Sequence, residues 1–242
     1  MIIPDNIQSK QITDSWKKLQ EGIEEYNKIS EKRAELRKEL LKTNLKLIRS
    51  ATMKKPKKLL IVVDMQNVYK PGNPWACPSI NRSISNIKSL VECGIPTVFT
   101  TFNKPCNATG TWEEYNKKYE DINSNYKLNE LIPEMRELLD RDNVIGVYSK
   151  QQYSSLLEPE LIEIAKQYDE ILVTGVVAEC CCIFTAHSVM DLGKKCIWVK
   201  DAVAGENQEN EQLCIDLLNC HFPLHGRISD TELEVMDFSE NF

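Results

Sequence analysis

Apolar residues follow two different rhythms along the chain, and the change comes near residue 56. From Ile12 to Ile48 the sequence is rich in Glu, Lys and Leu, without proline and with Gly22 as its only glycine, which predicts one long helix or two. Ile12, Trp16, Leu19, Ile23 and Tyr26 step by four, three, four and three, a heptad seam on one helix face. After Tyr26 the seam slips to Ile29, Leu36, Leu40 and Leu47, a break in phase that fits a stammer or two helices meeting near Ser30. A helix with one apolar stripe must cover something. Two occupants stay open: the rest of its own chain, or a second subunit.

Lys54, Lys55, Lys57 and Lys58 surround Pro56 and read as a linker, which sets an N-terminal helical arm at 1–55 and a main domain at 56–242. Beyond it, continuous apolar runs alternate with helical patterns. Leu59 to Val63, Thr97 to Thr101, Asn143 to Val147, Glu170 to Thr174 and Cys196 to Lys200 read as strands. Ser79 to Cys93, Leu128 to Asp140, Pro159 to Gln167, Cys182 to Leu192 and Asn207 to Leu218 read as helices. Strands that are apolar throughout are buried on both faces, so the alternation predicts a three-layer α/β/α domain with a mostly parallel sheet and right-handed crossovers. Ligands of such sheets bind beyond the carboxyl ends of the strands.

Composition narrows the class. Of the 242 residues, 42% are hydrophobic and 27% charged, close to globular averages, and a net charge of −6 argues against a nucleic-acid partner. No run approaches the roughly 18 apolar residues of a membrane span. The start, MIIPDNIQSKQ, has no basic stretch followed by an apolar one, so a cytoplasmic protein is expected. With no export signal, the nine cysteines should be reduced thiols; Cys93, Cys196, Cys214 and Cys220 read as small hydrophobes. His187, His221 and His225 have no zinc-type spacing and there is no C-x-x-C pair, so no metal is expected.

The first strand lacks a glycine fingerprint and no P-loop occurs, so no nucleotide cofactor is expected. Reactive residues follow three strands instead: Asp64 after LLIVV, Lys150 after VIGVYS, and Glu179 with Cys180, Cys181 and Cys182 after ILVTGVVA. Cys181 should open a helix, where unpaired N–H groups and the helix dipole favour a thiolate and can donate to an oxyanion. On position alone Cys180 and Cys182 compete with it. An aspartate could take the thiol proton and a lysine could hold the resulting charges together.

These blocks resemble the isochorismatase-like cysteine hydrolases: VVDMQNVY at Val62 to Tyr69, YSKQQYSS around Lys150, TGVVAECCCIFTAHSVMDLG at Thr174 to Gly193, then VKDAVAG at Val199 to Gly205. Counted from Gly175, the family's nucleophile falls on Cys181. The resemblance implies a six-stranded sheet, a triad of Asp64, Lys150 and Cys181, and a non-proline cis peptide between Val177 and Ala178. It also implies an oxyanion hole from the backbone N–H groups of Ala178 and Cys181, and attack of the thiolate on an amide or ureide carbonyl.

Departures from the family bear on the substrate. The segment TTFNKPCNATGTWEEYNKKY after the second strand has none of the histidines with which nicotinamidases hold a metal, so neither nicotinamide nor a metal is expected. Glu179 replaces a shorter Asp or Asn. Asn67, Trp75, Phe102, Trp112 and Tyr153 are candidate walls for a small flat polar substrate, while Asp201 and Gly205 are read as turn-formers and His187 has no catalytic role. The leading expectation is a metal-independent hydrolase of carbon–nitrogen bonds. Vinyl-ether hydrolysis relying on Asp64, and a noncatalytic assembly protein built on the N-terminal helix, are the alternatives. A homo-oligomer using the arm is expected, with no membrane partner.

Overall fold

A computed structural model of the chain describes residues 55–239 other than Cys106, together with positions 17, 20–22, 24, 25, 28, 29 and 31–42. The chain divides into two compact units, Met1–Lys55 and Pro56–Phe242. In the first unit the described positions between 17 and 42 are helical, and Ile29, Leu36 and Leu40 are exposed. The heptad positions Ile12, Trp16, Leu19, Ile23 and Tyr26, the junction at Ser30 and Leu47 lie outside the described residues.

The second unit is built on six strands: β1 (Lys58–Val63), β2 (Thr97–Phe102), β3 (Val144–Lys150), β4 (Glu170–Val176), β5 (Lys195–Ala204) and β6 (Gly226–Ser229). Their order is β3-β2-β1-β4-β5-β6 and every pairing is parallel. Six longer helices accompany them: α1 (Ile80–Glu92), α2 (Thr111–Lys118), α3 (Pro159–Ala165), α4 (Ile183–Asp191), α5 (Gln208–Asn219) and α6 (Thr231–Ser239).

Because successive strand side chains point to opposite faces, one apolar run feeds two cores. In β1, Leu60 and Val62 join Ile80, Ile84 and Ile87 of α1, with Val235 and Phe238 of α6 packed against that cluster. Leu59, Ile61 and Val63 join Leu161 of α3, Ile183 and Ala186 of α4 and Leu218 of α5 on the other face. Burying each such aliphatic side chain contributes about 1.5–3 kcal/mol, so the apolar run Leu59 to Val63 holds β1 in the centre of the sheet. Among the described residues no helix is long and apolar enough to cross a membrane.

Three elements differ from the sequence pattern. Asn143 to Val147 was expected to be buried on both faces, but β3 is an edge strand: Ile145 and Val147 are exposed and the strand runs on to Lys150. The helix expected over Leu128 to Asp140 is broken into single turns, Tyr126–Asn129 and Pro133–Arg136. Pro133 holds Ile132 in an extended conformation (φ −59, ψ 149), and Leu131 pairs with Gln66 across an isolated bridge. The segment Thr231–Ser239 and the short strand Gly226–Ser229 carry too little apolar periodicity to stand out, and tertiary packing makes them regular; Thr111–Lys118 is a further helix.

Candidate active site

The sheet order reverses direction at β1, which lies between β2 and β4, and the crevice beyond their carboxyl ends is the place where side chains from separate crossovers meet. Close approach of β1 and β4 there depends on Gly175, whose φ is 104°. A Cβ at that position would sit 2.1 Å from the Val63 carbonyl oxygen. The next residue after β1, Asp64, adopts a left-handed φ of 49°, a conformation that Asp tolerates better than most residues. Its backbone N–H donates to the Thr100 carbonyl at 3.1 Å, and Thr100 Oγ1 donates to Asp64 Oδ1 at 2.8 Å.

Lys150 closes β3 and reaches across β2. Its Nζ lies 2.7 Å from Asp64 Oδ2, 3.3 Å from Cys181 Sγ and 2.8 Å from the Gln152 carbonyl, and sits 5.4 Å above the Phe102 ring. The ammonium's three protons thus have three neighbours, which offsets the cost of taking the charge out of water. Lys150 and Asp64 are 0% exposed and Cys181 4%. Apart from its ion pair, the buried Asp64 Oδ2 takes no hydrogen bond among the described residues.

A π-helical turn, Ala178–Cys182, joins β4 to α4 and sorts the three cysteines. Cys182 points into the core, with its thiol toward the Thr174 carbonyl, and Cys180 lines the cleft described below. Cys181 is the one beside Lys150. The Val177 carbonyl accepts the N–H groups of Cys180 (3.0 Å) and Cys182 (3.2 Å) and leaves that of Cys181 out of this pair. The non-proline cis peptide lies at Val176–Val177, one bond earlier than the expected Val177–Ala178, where the β4 ladder ends with the pairing of Val176 and Ala204.

Burial pushes the Cys181 thiol well up, the Asp64 charge beside it adds to the rise, and Lys150 only partly opposes them. For Lys150, burial works against the charged form, but the charges of Asp64 and Cys181 outweigh it and raise the pKa. Desolvation here works against the thiolate that the helix start was expected to favour.

Hydroxyls tie the constellation together. Thr100 Oγ1 lies 3.4 Å from Ser155 Oγ, Ser155 Oγ lies 3.2 Å from Thr185 Oγ1, and Thr185 donates to the Cys181 carbonyl at 2.7 Å. In front of Cys181 opens a cleft of about 360 Å³. Tyr69, Trp75, Phe102, Tyr115, Tyr119 and Tyr153 form its aromatic walls, and Cys77, Cys180, Glu179 and Glu206 line it as well. Among the described residues no group of three or more His, Cys, Asp or Glu side chains could hold a metal ion.

The family model for the isochorismatase domain matches residues 58–232. The chain belongs to the isochorismatase family. It is 25% identical over 179 residues to the isochorismatase of Bacillus subtilis (strain 168), a match covering 65% of this chain and 51% of that protein, so the chain spans about half the length of this relative. Its fold resembles that of a cysteine hydrolase from Pseudomonas syringae pv. phaseolicola 1448A, with a TM-score of 0.66 and 18% identity over 78% of this chain and all (100%) of the other. N-carbamoylsarcosine amidase from Thermoplasma acidophilum is also similar, with a TM-score of 0.56 and 20% identity over 72% of this chain and 96% of the other.

Set on this isochorismatase-family frame, the residues singled out in the sequence divide into two groups. Asp64, Lys150 and Cys181 come together, Ala178 is buried at the start of the turn beside them, and Trp75, Phe102 and Tyr153 line the cleft. Asn67 does not: its side-chain amide donates to the Lys127 carbonyl at 2.8 Å and its own carbonyl accepts from Asn73, so it ties loops together. Trp112 stands behind the wall, its ring packed on Phe102, Tyr115 and Tyr153. Asp201 accepts from the Thr231 N–H and hydroxyl, and Gly205 N–H donates to Glu211. Gln66, next but one to Asp64, was passed over. Its side chain brackets Phe102, accepting from the N–H (2.9 Å) and donating to the carbonyl (3.0 Å). Tyr115 and Tyr119 were also missed, although their i, i+4 spacing with Trp112 one turn earlier is a helical aromatic stripe.

Proposed function

We propose that the second unit is a metal-independent cysteine hydrolase that cleaves a carbon–nitrogen bond of a small amide, carbamoyl compound or ureide through a thioester. The observation that carries this reading is the buried contact of Cys181 Sγ with Lys150 Nζ at 3.3 Å, with Asp64 Oδ2 2.7 Å from the same nitrogen, at the floor of an aromatic cleft. Asp64 Oδ2 takes the thiol proton as sulfur bonds to the substrate carbonyl carbon, and Lys150 keeps the carboxylate and thiolate charges tolerable. The backbone N–H groups of Ala178 and Cys181 receive the oxyanion. Collapse breaks the C–N bond, the proton on Asp64 passes to the leaving nitrogen, and ammonia or an amine departs. Water then gives a proton to Asp64 and adds to the thioester. Its collapse breaks the C–S bond, and the proton returns from Asp64 to sulfur.

The named activity of the Bacillus subtilis relative favours a second reading, hydrolysis of a vinyl ether with Asp64 as acid and the thiol dispensable. Ammonia release from a panel of primary amides, carbamoyl compounds and ureides, beside an assay with isochorismate, separates the two. In the first reading Cys181→Ala lowers kcat by about 10³-fold or more on the amide panel. Full activity in Cys181→Ala sinks it.

A further inference from the structure

Glu179 is the residue of the cleft that the triad chemistry leaves unused. Its Oε1 accepts the Glu206 N–H at 3.0 Å and the Asn210 side-chain amide at 2.7 Å, both neutral donors. Its Oε2 is buried and takes no hydrogen bond among the described residues. The neighbouring Glu211 is neutralised by Arg82 at 2.9 Å, but among the described residues no lysine or arginine pairs with Glu179. Gly205 makes room for this carboxylate: a Cβ there would come within 2.7 Å of Glu179 Oε2. The second carboxylate of the cleft, Glu206, is exposed at the same end, and among the described residues no Lys, Arg or His belongs to the lining. A carboxylate partly withdrawn from water without a countercharge is costly, and that cost falls when a cation arrives. The wall beside it consists of aromatic rings, with Trp75 5.6 Å from Tyr119 and 6.0 Å from Tyr69 between ring centres, and ring faces attract cations.

We infer that the substrate carries a positively charged nitrogen group, an ammonium, amidinium or guanidinium, seated between Glu179 and the aromatic wall while its scissile carbonyl faces Cys181. This rests on the hydrolase reading above and assigns that site its substrate charge. The local field agrees: burial raises the Cys77 thiol to about 12, and the charge of Glu179, with a smaller one from Glu206, adds to the rise. A neutral isostere loses the electrostatic attraction, and an anionic one meets two carboxylates.

The test uses benzamidinium, benzamide and benzoate, three probes of nearly one shape and three charges, bound to the full-length Cys181→Ala chain so that none is turned over. Titrations are followed by tryptophan fluorescence or calorimetry at pH 7. The expected order is benzamidinium tightest and benzoate weakest, with about tenfold or more between benzamidinium and benzamide, equivalent to about 1.4 kcal/mol. That margin should shrink with added salt. Glu179→Gln, which keeps the acceptor at Oε1, should cut the margin to about threefold or less, and Glu206→Gln should reduce it by a smaller factor. Equal binding of the three probes, benzoate binding best, or a margin unchanged in folded Glu179→Gln overturns the inference. Should Glu179→Gln fail to fold, the charge ranking in the parent chain decides by itself. A parallel assay of ammonia release by the unmodified chain from cationic, neutral and anionic primary amides keeps the readings apart. Charge-ranked binding without hydrolysis of any amide counts against the C–N reading, whereas hydrolysis without charge preference counts against the cation site.

Discussion

Thr100 Oγ1 donates to Asp64 Oδ1 at 2.8 Å while Lys150 Nζ meets Asp64 Oδ2 at 2.7 Å, so the two oxygens of one carboxylate are assigned to partners on two different strands. The hydroxyl fixes how the carboxylate is rotated, and that rotation turns Oδ2 to Lys150, which in turn lies 3.3 Å from the thiol. Thr100 is therefore a positioning residue for the proposed proton transfer.

Replacing Thr100 by Val keeps the shape and removes the donor. The buried Oδ1 then lacks its partner, which costs about 1–3 kcal/mol of stability. The proposed hydrolysis should fall in kcat more than it rises in KM, because the substrate does not touch Thr100. Thr100→Ser should restore most of the loss. Urea unfolding and steady-state kinetics on both variants check this, and unchanged kcat in Thr100→Val counts against the positioning role.

Thiol labelling should not begin at the proposed nucleophile. Cys181 is buried and its pKa raised, whereas Cys220 is exposed. With iodoacetamide at pH 7, mapped by mass spectrometry, Cys220 should be alkylated before Cys181 among the described cysteines. Labelling of Cys181 should accelerate as the pH is raised, since the thiolate is the reactive form. Faster modification of Cys181 than of Cys220 at neutral pH would mean a thiolate at rest.

Gly175→Ala should be among the most damaging single substitutions in the sheet. Its φ of 104° strains any side chain, and the added Cβ would meet the Val63 carbonyl oxygen at 2.1 Å. The methyl group must push β1 and β4 apart next to Asp64, at a cost of about 2–3 kcal/mol or more. Chemical denaturation would report the loss, and a stability within about 0.5 kcal/mol of the parent chain contradicts the prediction.

Acid should weaken the opposite end of the sheet. Glu234 is buried, which works against its charge, yet Arg227 and Lys58 lower its pKa from the ordinary 4.5 to about 2. A depressed carboxylate contributes stability that is fully present above its unfolded-state pKa and is lost as pH falls through the folded one. The loss should thus run from about pH 4.5 down to 2. Glu234→Gln should be less stable at pH 7 and show a shallower decline over that interval in thermal unfolding. An equal slope in both chains would exclude Glu234 as its source.

The parts of this protein legible in its sequence are those where a local pattern has one physical solution. An all-apolar LLIVV can only be a strand buried on both faces, and it stands at the centre of the sheet. Asp64, Lys150 and Cys181 could be nominated because strand ends of a parallel sheet face one crevice, while Cys181 was separated from Cys180 and Cys182 by resemblance. Local pattern could not show that β3 is an edge strand, that Pro133 breaks a helix, or that Asn67 spends its amide on Lys127. Those facts depend on neighbours that are remote in the chain. The same holds for the rise in the Cys181 pKa, whose largest cause is burial. Burial is a property of the whole fold. Sequence determined which reactive groups are present; tertiary structure decided which of them share a dry site, because contacts and desolvation are set by packing rather than by order along the chain.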